Sequence, residues 1–304
     1  MSKATHKTIG AFAVSIALIG SSLLIGQAAS AATAVSNSWS FNETTAGDAA
    51  VDSVGANNGV ANGSPTPSTD VPYSSNSNTG SMQFDGSNYY SVTNNLGNDF
   101  SICAWIKTTS TGGTNHWENA PIADSEMGGF AYDFGFGINS GGFLSFGNGG
   151  DIPNGGPDDA TVTGTKVVND NAWHHVCVSR NNATGEDILY VDGTQDTTGT
   201  TGTGTLTDNT QIWFGNGQDG NSQFVGNIDE VRFYTSVIAP ADVQALFDES
   251  KTPPPVVDPS VPEVSYDSKG ALAETGGTFN ASLVVGALLM LLGSTTLVVS
   301  KVRS

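Results

Sequence analysis

The side chains able to do chemistry in this 304-residue chain are mostly carboxylates. Asp124, Glu126, Asp133 and Asp151 lie in loops around a glycine-rich segment, where they could form a cation site or line a solvated rim. Asp52 and Asn57, with the backbone carbonyls freed near Gly55 and Gly59, offer the hard oxygen atoms that calcium takes. Asp229 alternates with Val231 and Phe233 along a strand, which turns it toward the core, and an inward carboxylate must be paired, hydrogen-bonded or metal-bound. Asp52, Asn57, Gly59 and Asp229 are therefore the expected calcium set, with turn organisation as the alternative role for the two aspartates. For a sugar or other polar ligand, Trp117 in the polar loop 109–119 is the aromatic best placed to stack, with Glu126 and Asp133 as polar contacts. Trp39, Trp105, Trp173 and Trp213 fall within strand patterns and read as core, while Tyr89 is ambiguous.

Catalysis finds little support. His174 and His175 are neighbours on one strand and point to opposite faces, so they cannot chelate one metal, and His116 lies far off in a loop. The chain has no Gly-x-Ser-x-Gly elbow to expose a serine nucleophile. No catalytic residue is expected.

The elements that must position these groups are strands. Short alternating segments separated by Gly, Asn, Asp and Ser clusters recur across residues 35–250, the pattern of an all-β sandwich. Phe100, Ile102, Ala104 and Ile106 alternate with Ser101, Cys103 and Trp105; Val176 and Val178 alternate with His175, Cys177 and Ser179. Asp192-Gly193 after Ile188–Val191 marks a tight turn. One helix is expected from Pro240, with Val243, Leu246 and Phe247 as its apolar face. Residues 197–210, rich in Thr and Gly, read as a loop. Cys103 and Cys177 are the two cysteines, and an even pair in an exported chain is most simply a disulfide.

The ends state a destination. Residues 1–34 have the layout of a secretory signal peptide: Lys3 and Lys7, an uncharged apolar stretch from Ile9 to Ile25, then small residues for cleavage after Ala31 or Ala34. Residues 251–271, with Pro253, Pro254, Pro255, Pro259 and Pro262, read as an extended linker. Near the C-terminus, the uncharged run Ala281–Val299 is long enough for a transmembrane helix, and Lys301 and Arg303 follow as a basic stop. Just before it, Leu272, Ala273, Glu274, Thr275 and Gly276 resemble the LPxTG sorting signal, in the LAxTG form of class E sortases of high-GC Gram-positive bacteria. Over residues 272–304 that resemblance implies cleavage by a sortase after Thr275, covalent transfer to peptidoglycan, and a cell-wall, extracellular location. Ala273 in place of proline departs from the commoner signal. Trimming both ends leaves six basic against 29 acidic residues, a net of −23, which argues against nucleic acid as a partner.

Seven motifs in order then resemble the laminin-G-like, concanavalin A-like lectin/glucanase jelly rolls. They are Trp39–Glu43, Asp52–Gly59, Met82–Gly86, Phe100–Lys107, Trp173–Val176, Leu189–Gly193 and Gly226–Tyr234. The resemblance implies a jelly-roll β-sandwich with one short C-terminal helix, and it raises the expectation of a structural calcium ion. Glucanases of this type carry Glu-x-Asp-x-(x)-Glu on one strand; Asp124-Ser125-Glu126 and Asp229-Glu230 lack the third carboxylate. The expected function is thus a non-catalytic, wall-anchored module that binds glycan or a host or matrix protein. A glycan-processing enzyme and a structural coat protein are the alternatives.

Overall fold

The computed structural model describes residues 32–73, 77–127, 132–149, 159–218, 220 and 222–251. Nearly all of the signal peptide, the linker, the sorting pentapeptide and the apolar span lie outside these residues, as does Asp151. By its contacts the chain divides into units 1–254 and 255–304, of which the second lies wholly outside them. Among the described residues, no helix is long and apolar enough to cross a membrane.

Fifteen strands and one α-helix follow in order among those residues. The first eight strands are β1 (Asn37–Trp39), β2 (Val60–Asn62), β3 (Thr66–Ser68), β4 (Ser81–Asp85), β5 (Tyr89–Thr93), β6 (Phe100–Thr108), β7 (Ala120–Asp124) and β8 (Phe134–Ile138). Then come β9 (Phe143–Asn148), β10 (Ala160–Val167), β11 (Trp173–Asn181), β12 (Glu186–Val191), β13 (Thr194–Thr200), β14 (Gln211–Phe214), β15 (Val225–Tyr234) and the helix α1 (Pro240–Glu249). They form two antiparallel sheets. One runs β13-β12-β11-β6-β15-β4-β3 with β1 also on β15, the other β10-β9-β8-β7-β14-β5-β2. The all-β sandwich with one short helix is as expected.

Alternation explains how the layers stack. Phe100, Ile102, Ala104 and Ile106 of β6 and Val176 and Val178 of β11 face the second sheet, where they meet Phe134, Phe136, Leu144, Phe146, Ile212 and Phe214. Burying each such large side chain contributes roughly 1.5–3 kcal/mol. The opposite faces of the same strands are buried as well. Cys103, Cys177, Tyr190 and Tyr234 pack with Ile238 and Val243 in a smaller core under α1. Trp105 stacks on Phe247 of the helix at 5.8 Å. The helix begins at Pro240, whose missing N–H costs nothing in a first turn, and it buries the expected Val243.

Two local features need their particular residues. Asp192 and Gly193 have φ of 52° and 76°, the paired left-handed conformation of a tight hairpin between β12 and β13. The buried Arg180 donates to the carbonyls of Asn98, Gly202 and Gly204 and so holds the loop after β13. One expectation needs correction: Thr197–Thr200 is strand, not loop, paired with Glu186–Leu189. Threonine's branched Cβ suits a pleated edge even where nothing apolar marks it.

Cys103 and Cys177 are direct partners across β6 and β11 and form the expected disulfide, 74 residues apart in sequence. On chain-entropy grounds a loop of that length contributes about 4 kcal/mol. Denaturant unfolding of the Cys103→Ser, Cys177→Ser double variant should therefore show a loss of about 2–4 kcal/mol. A change inside the fitting error would assign the bond no stabilising part.

Candidate functional site

The solvent face of the seven-stranded sheet gathers three sequence-predicted residues around one that was set aside. Inward Phe134 and Phe136 leave Gly135 facing out, and inward Phe146 does the same for Gly147. These glycines let the segment before β7 lie directly on the sheet. A Cβ at Gly135 would come within 2.5 Å of the His116 carbonyl oxygen, and one at Gly147 within 2.7 Å of His116 Cβ. A single 3-10 turn, His116–Glu118, places the His116 ring there, buried. Its Nε2 lies 3.3 Å from Glu126 Oε2, its Nδ1 lies 3.4 Å from Thr161 Oγ1, and Trp117 packs edge-on against it at 4.9 Å.

Glu126 and Asp133 stand where β7 and β8 part. Asp133 is buried and accepts the Met127 N–H at 2.8 Å, with the Glu126 carboxyl near enough for its charge to act on it. Burial pushes its carboxyl up to about 7; the Met127 N–H pulls it down, and the Glu126 charge adds to the rise. Asp124 sits beside them and accepts N–H donors from Glu126 and Gln218, which pins the segment after β14. Ser222 in turn donates to the Trp117 carbonyl. Trp117, Glu126 and Asp133 thus converge through His116, whose part no spacing in the sequence announces.

The calcium set does not converge. Asp52 is surrounded by N–H donors: Ser38, Val54 and Gly55 on Oδ1, Asn37 Nδ2 and Asn57 on Oδ2. Burial opposes its ionisation, but the donors outweigh it and hold the carboxyl down at about 2. Asn57 exchanges both side-chain hydrogen bonds with the Thr93 backbone, and Gly59 bridges to Ala50. These residues organise a turn. Asp229 departs further from its expected place. A bulge between Asp229 and Arg232, with Glu230 at φ 49°, shifts the register of β15 against β6. Ile228, Val231 and Phe233 face the core, so Asp229 lies on the opposite side of its sheet from Val231, paired with Trp105. There it accepts from Asn78 Nδ2 and the Glu230 N–H, and burial raises its carboxyl to about 8.

Trp213 is also misplaced by the strand pattern. Ile212 and Phe214 are core, so Trp213 projects outward and stacks on Tyr89, with ring centroids 3.8 Å apart. Simple alternation within Gln211–Phe214 was the signal that could have found it.

A family model described as the concanavalin A-like lectin/glucanases superfamily matches residues 77–244, just over half of the chain. No curated protein matches the sequence. Among solved structures, domain 4 of AbnA, a GH43 extracellular arabinanase from Geobacillus stearothermophilus in complex with arabinotriose, is 17% identical. That match covers 71% of this chain and 99% of the other, with a TM-score of 0.52. The binding domain of Paraclostridial Mosquitocidal Protein 1 is 14% identical at the same TM-score, covering 71% of this chain. The chain spans about half the length of that structure, 52%. These structural likenesses are of fold.

The buried carboxyls set a pH profile. Asp229 and Asp133 stay protonated in the fold up to about 8 and about 7, so their contribution is full below pH 4 and is lost as pH rises through those values. Asp52 does the reverse: its contribution is present above pH 4 and is lost as pH falls toward 2. Stability should peak in mild acid, near pH 4–5. Asp229→Asn should flatten the alkaline limb by a few kcal/mol, on the order of 1.4 per unit of pKa shift removed. Thermal melts from pH 3 to 9 check both; an unchanged limb in the variant would contradict the assignment.

Proposed function

Because the chain belongs to the concanavalin A-like lectin/glucanases superfamily, we propose that it is an exported, surface-displayed binding module for glycan or protein ligands, not an enzyme. The observation that carries this reading is how the turn at His116 engages Glu126 and Trp117 while Asp133 stays buried. A retaining glycosidase holds its two carboxyls about 5 Å apart, one on each side of the scissile bond, and an inverting one holds them farther apart. Here Asp133 is buried and Glu126 is held against the buried His116, so the two do not flank an open cleft. Glu126 and the half-buried Trp117, the partly exposed members of the cluster, set a carboxyl beside an aromatic ring, the chemistry of ligand capture. The arabinotriose complex of the arabinanase domain and the binding domain of the mosquitocidal protein support this use of the fold. Calcium has no part in this reading.

Display rests on the ends: a signal peptide at 1–34, and Leu272–Gly276 as a sortase substrate that joins Thr275 to peptidoglycan. Deletion of residues 272–276 should move the protein from the wall fraction to the membrane or medium.

For binding, residues 35–250 should retain partners on a glycan and matrix-protein panel, with a loss of at least about tenfold (1.4 kcal/mol) for Trp117→Ala and Glu126→Gln. Release of shortened glycan from any bound species, lost in Glu126→Gln, would replace this reading with an enzymatic one.

A further inference from the structure

The same sheet face carries a second feature, separate from the His116 cluster. In β5 and β14 the core takes Tyr90, Val92, Ile212 and Phe214, which leaves Tyr89, Ser91, Thr93, Gln211 and Trp213 on the outside. Tyr89 and Trp213 are diagonal neighbours across the ladder, and their rings lie within 16° of parallel. Both are half-buried. The indole N–H donates to Gln211 Oε1 at 3.3 Å, which fixes the ring's rotation. On the outer strand, Asn62 lies opposite Tyr89 and donates to Ser91 Oγ at 3.3 Å. The two rings are thus bordered by Asn62 and Ser91 on one side, by Gln211 along β14, and by the Asp124 position on the β7 side.

We propose that Tyr89 and Trp213 form a stacking site for a neutral pyranose residue of an oligosaccharide. A sugar ring presents C–H groups on its faces and hydroxyls around its rim. Rigid aromatic rings match the faces, and amides that both donate and accept match the rim. Holding the rings in place beforehand removes part of the ordering cost of binding. Charge narrows the class. The chain carries a formal net charge of −19, β2, β5, β7 and β14 carry no Lys or Arg, and Asp124 lies beside Trp213 in the ladder, so uronate, sialylated and sulfated sugars are disfavoured. The inference rests on the glycan-binding reading but on different residues, so the two can fail separately.

The test uses the full chain, with neutral oligosaccharides (cello-, manno- and galacto-series, with and without N-acetyl groups) and an acidic set of uronate and sulfated sugars. Neutral sugars should bind at least about tenfold more tightly than acidic ones, and Trp213→Ala and Gln211→Ala should each lose at least about tenfold. Gln211 is exposed, so its loss leaves the fold intact by circular dichroism. Wild-type protein gives an independent readout: bound sugar should shield Trp213 from N-bromosuccinimide oxidation, read by peptide mass. Wild-type affinity in both variants, or oxidation of Trp213 unchanged by saturating sugar, overturns the site; if Glu126→Gln then loses binding, the rim cluster alone is the binding surface. Loss in Trp213→Ala and Gln211→Ala with full affinity in Glu126→Gln upholds the platform and removes the rim cluster. No binding of any neutral sugar overturns the platform, whatever protein ligands the panel returns.

Discussion

The pairing of β15 with β6 is the constraint on which the rest of the structure depends. Both strands are buried on both faces over most of their length, so most side chains along them must suit one core or the other. The extra residue at Glu230 divides β15 into two halves with opposite phase. Before it, Ile228 lies opposite Ile106 in the main core; after it, Val231 and Phe233 return to that core, Phe233 opposite Ile102, and Arg232 turns outward to Glu230 and Glu249 of α1. Without the shift, one half of the strand would bury its charged residues between the sheets. The helix is held over the smaller core by the ion pairs this register makes available.

The seven-stranded sheet follows a different logic. Its inner face is aromatic, and part of its outer face is glycine, so a loop can rest on the backbone itself. That close approach brings a buried imidazole to a carboxyl pair, while the neighbouring strands keep rings and amides in the open. One sheet thus offers two unlike surfaces within a few strands of each other.

Much of this was legible in the sequence wherever a side chain's neighbours reported its direction. The alternations in Phe100–Ile106 and Trp173–Arg180, the Asp192-Gly193 turn and the Val243, Leu246, Phe247 stripe each name a face, and each is found as read. With Trp213 as the exception, the misreadings share one cause: direction depended on something the local pattern does not encode. A single inserted residue reversed Asp229. Trp213 was judged by its type, although Ile212 and Phe214 on either side already fixed it outward. Asp52 has the composition of a cation ligand, and only the folded turn shows its oxygens filled by N–H groups. His116 joined Glu126 through contacts that span no regular spacing.

Helix α1 lies on the outside of the eight-stranded sheet, and the chain runs out of it at Lys251. The first described residues return to the same place, where Thr33 hydrogen-bonds Asp242 through its N–H and its hydroxyl. Entry and exit of the domain therefore share one side of the sandwich, while the ring pair and the carboxyl cluster look out from the other. The described sandwich thus has a back, where the chain enters and leaves, and a front, where the rings lie.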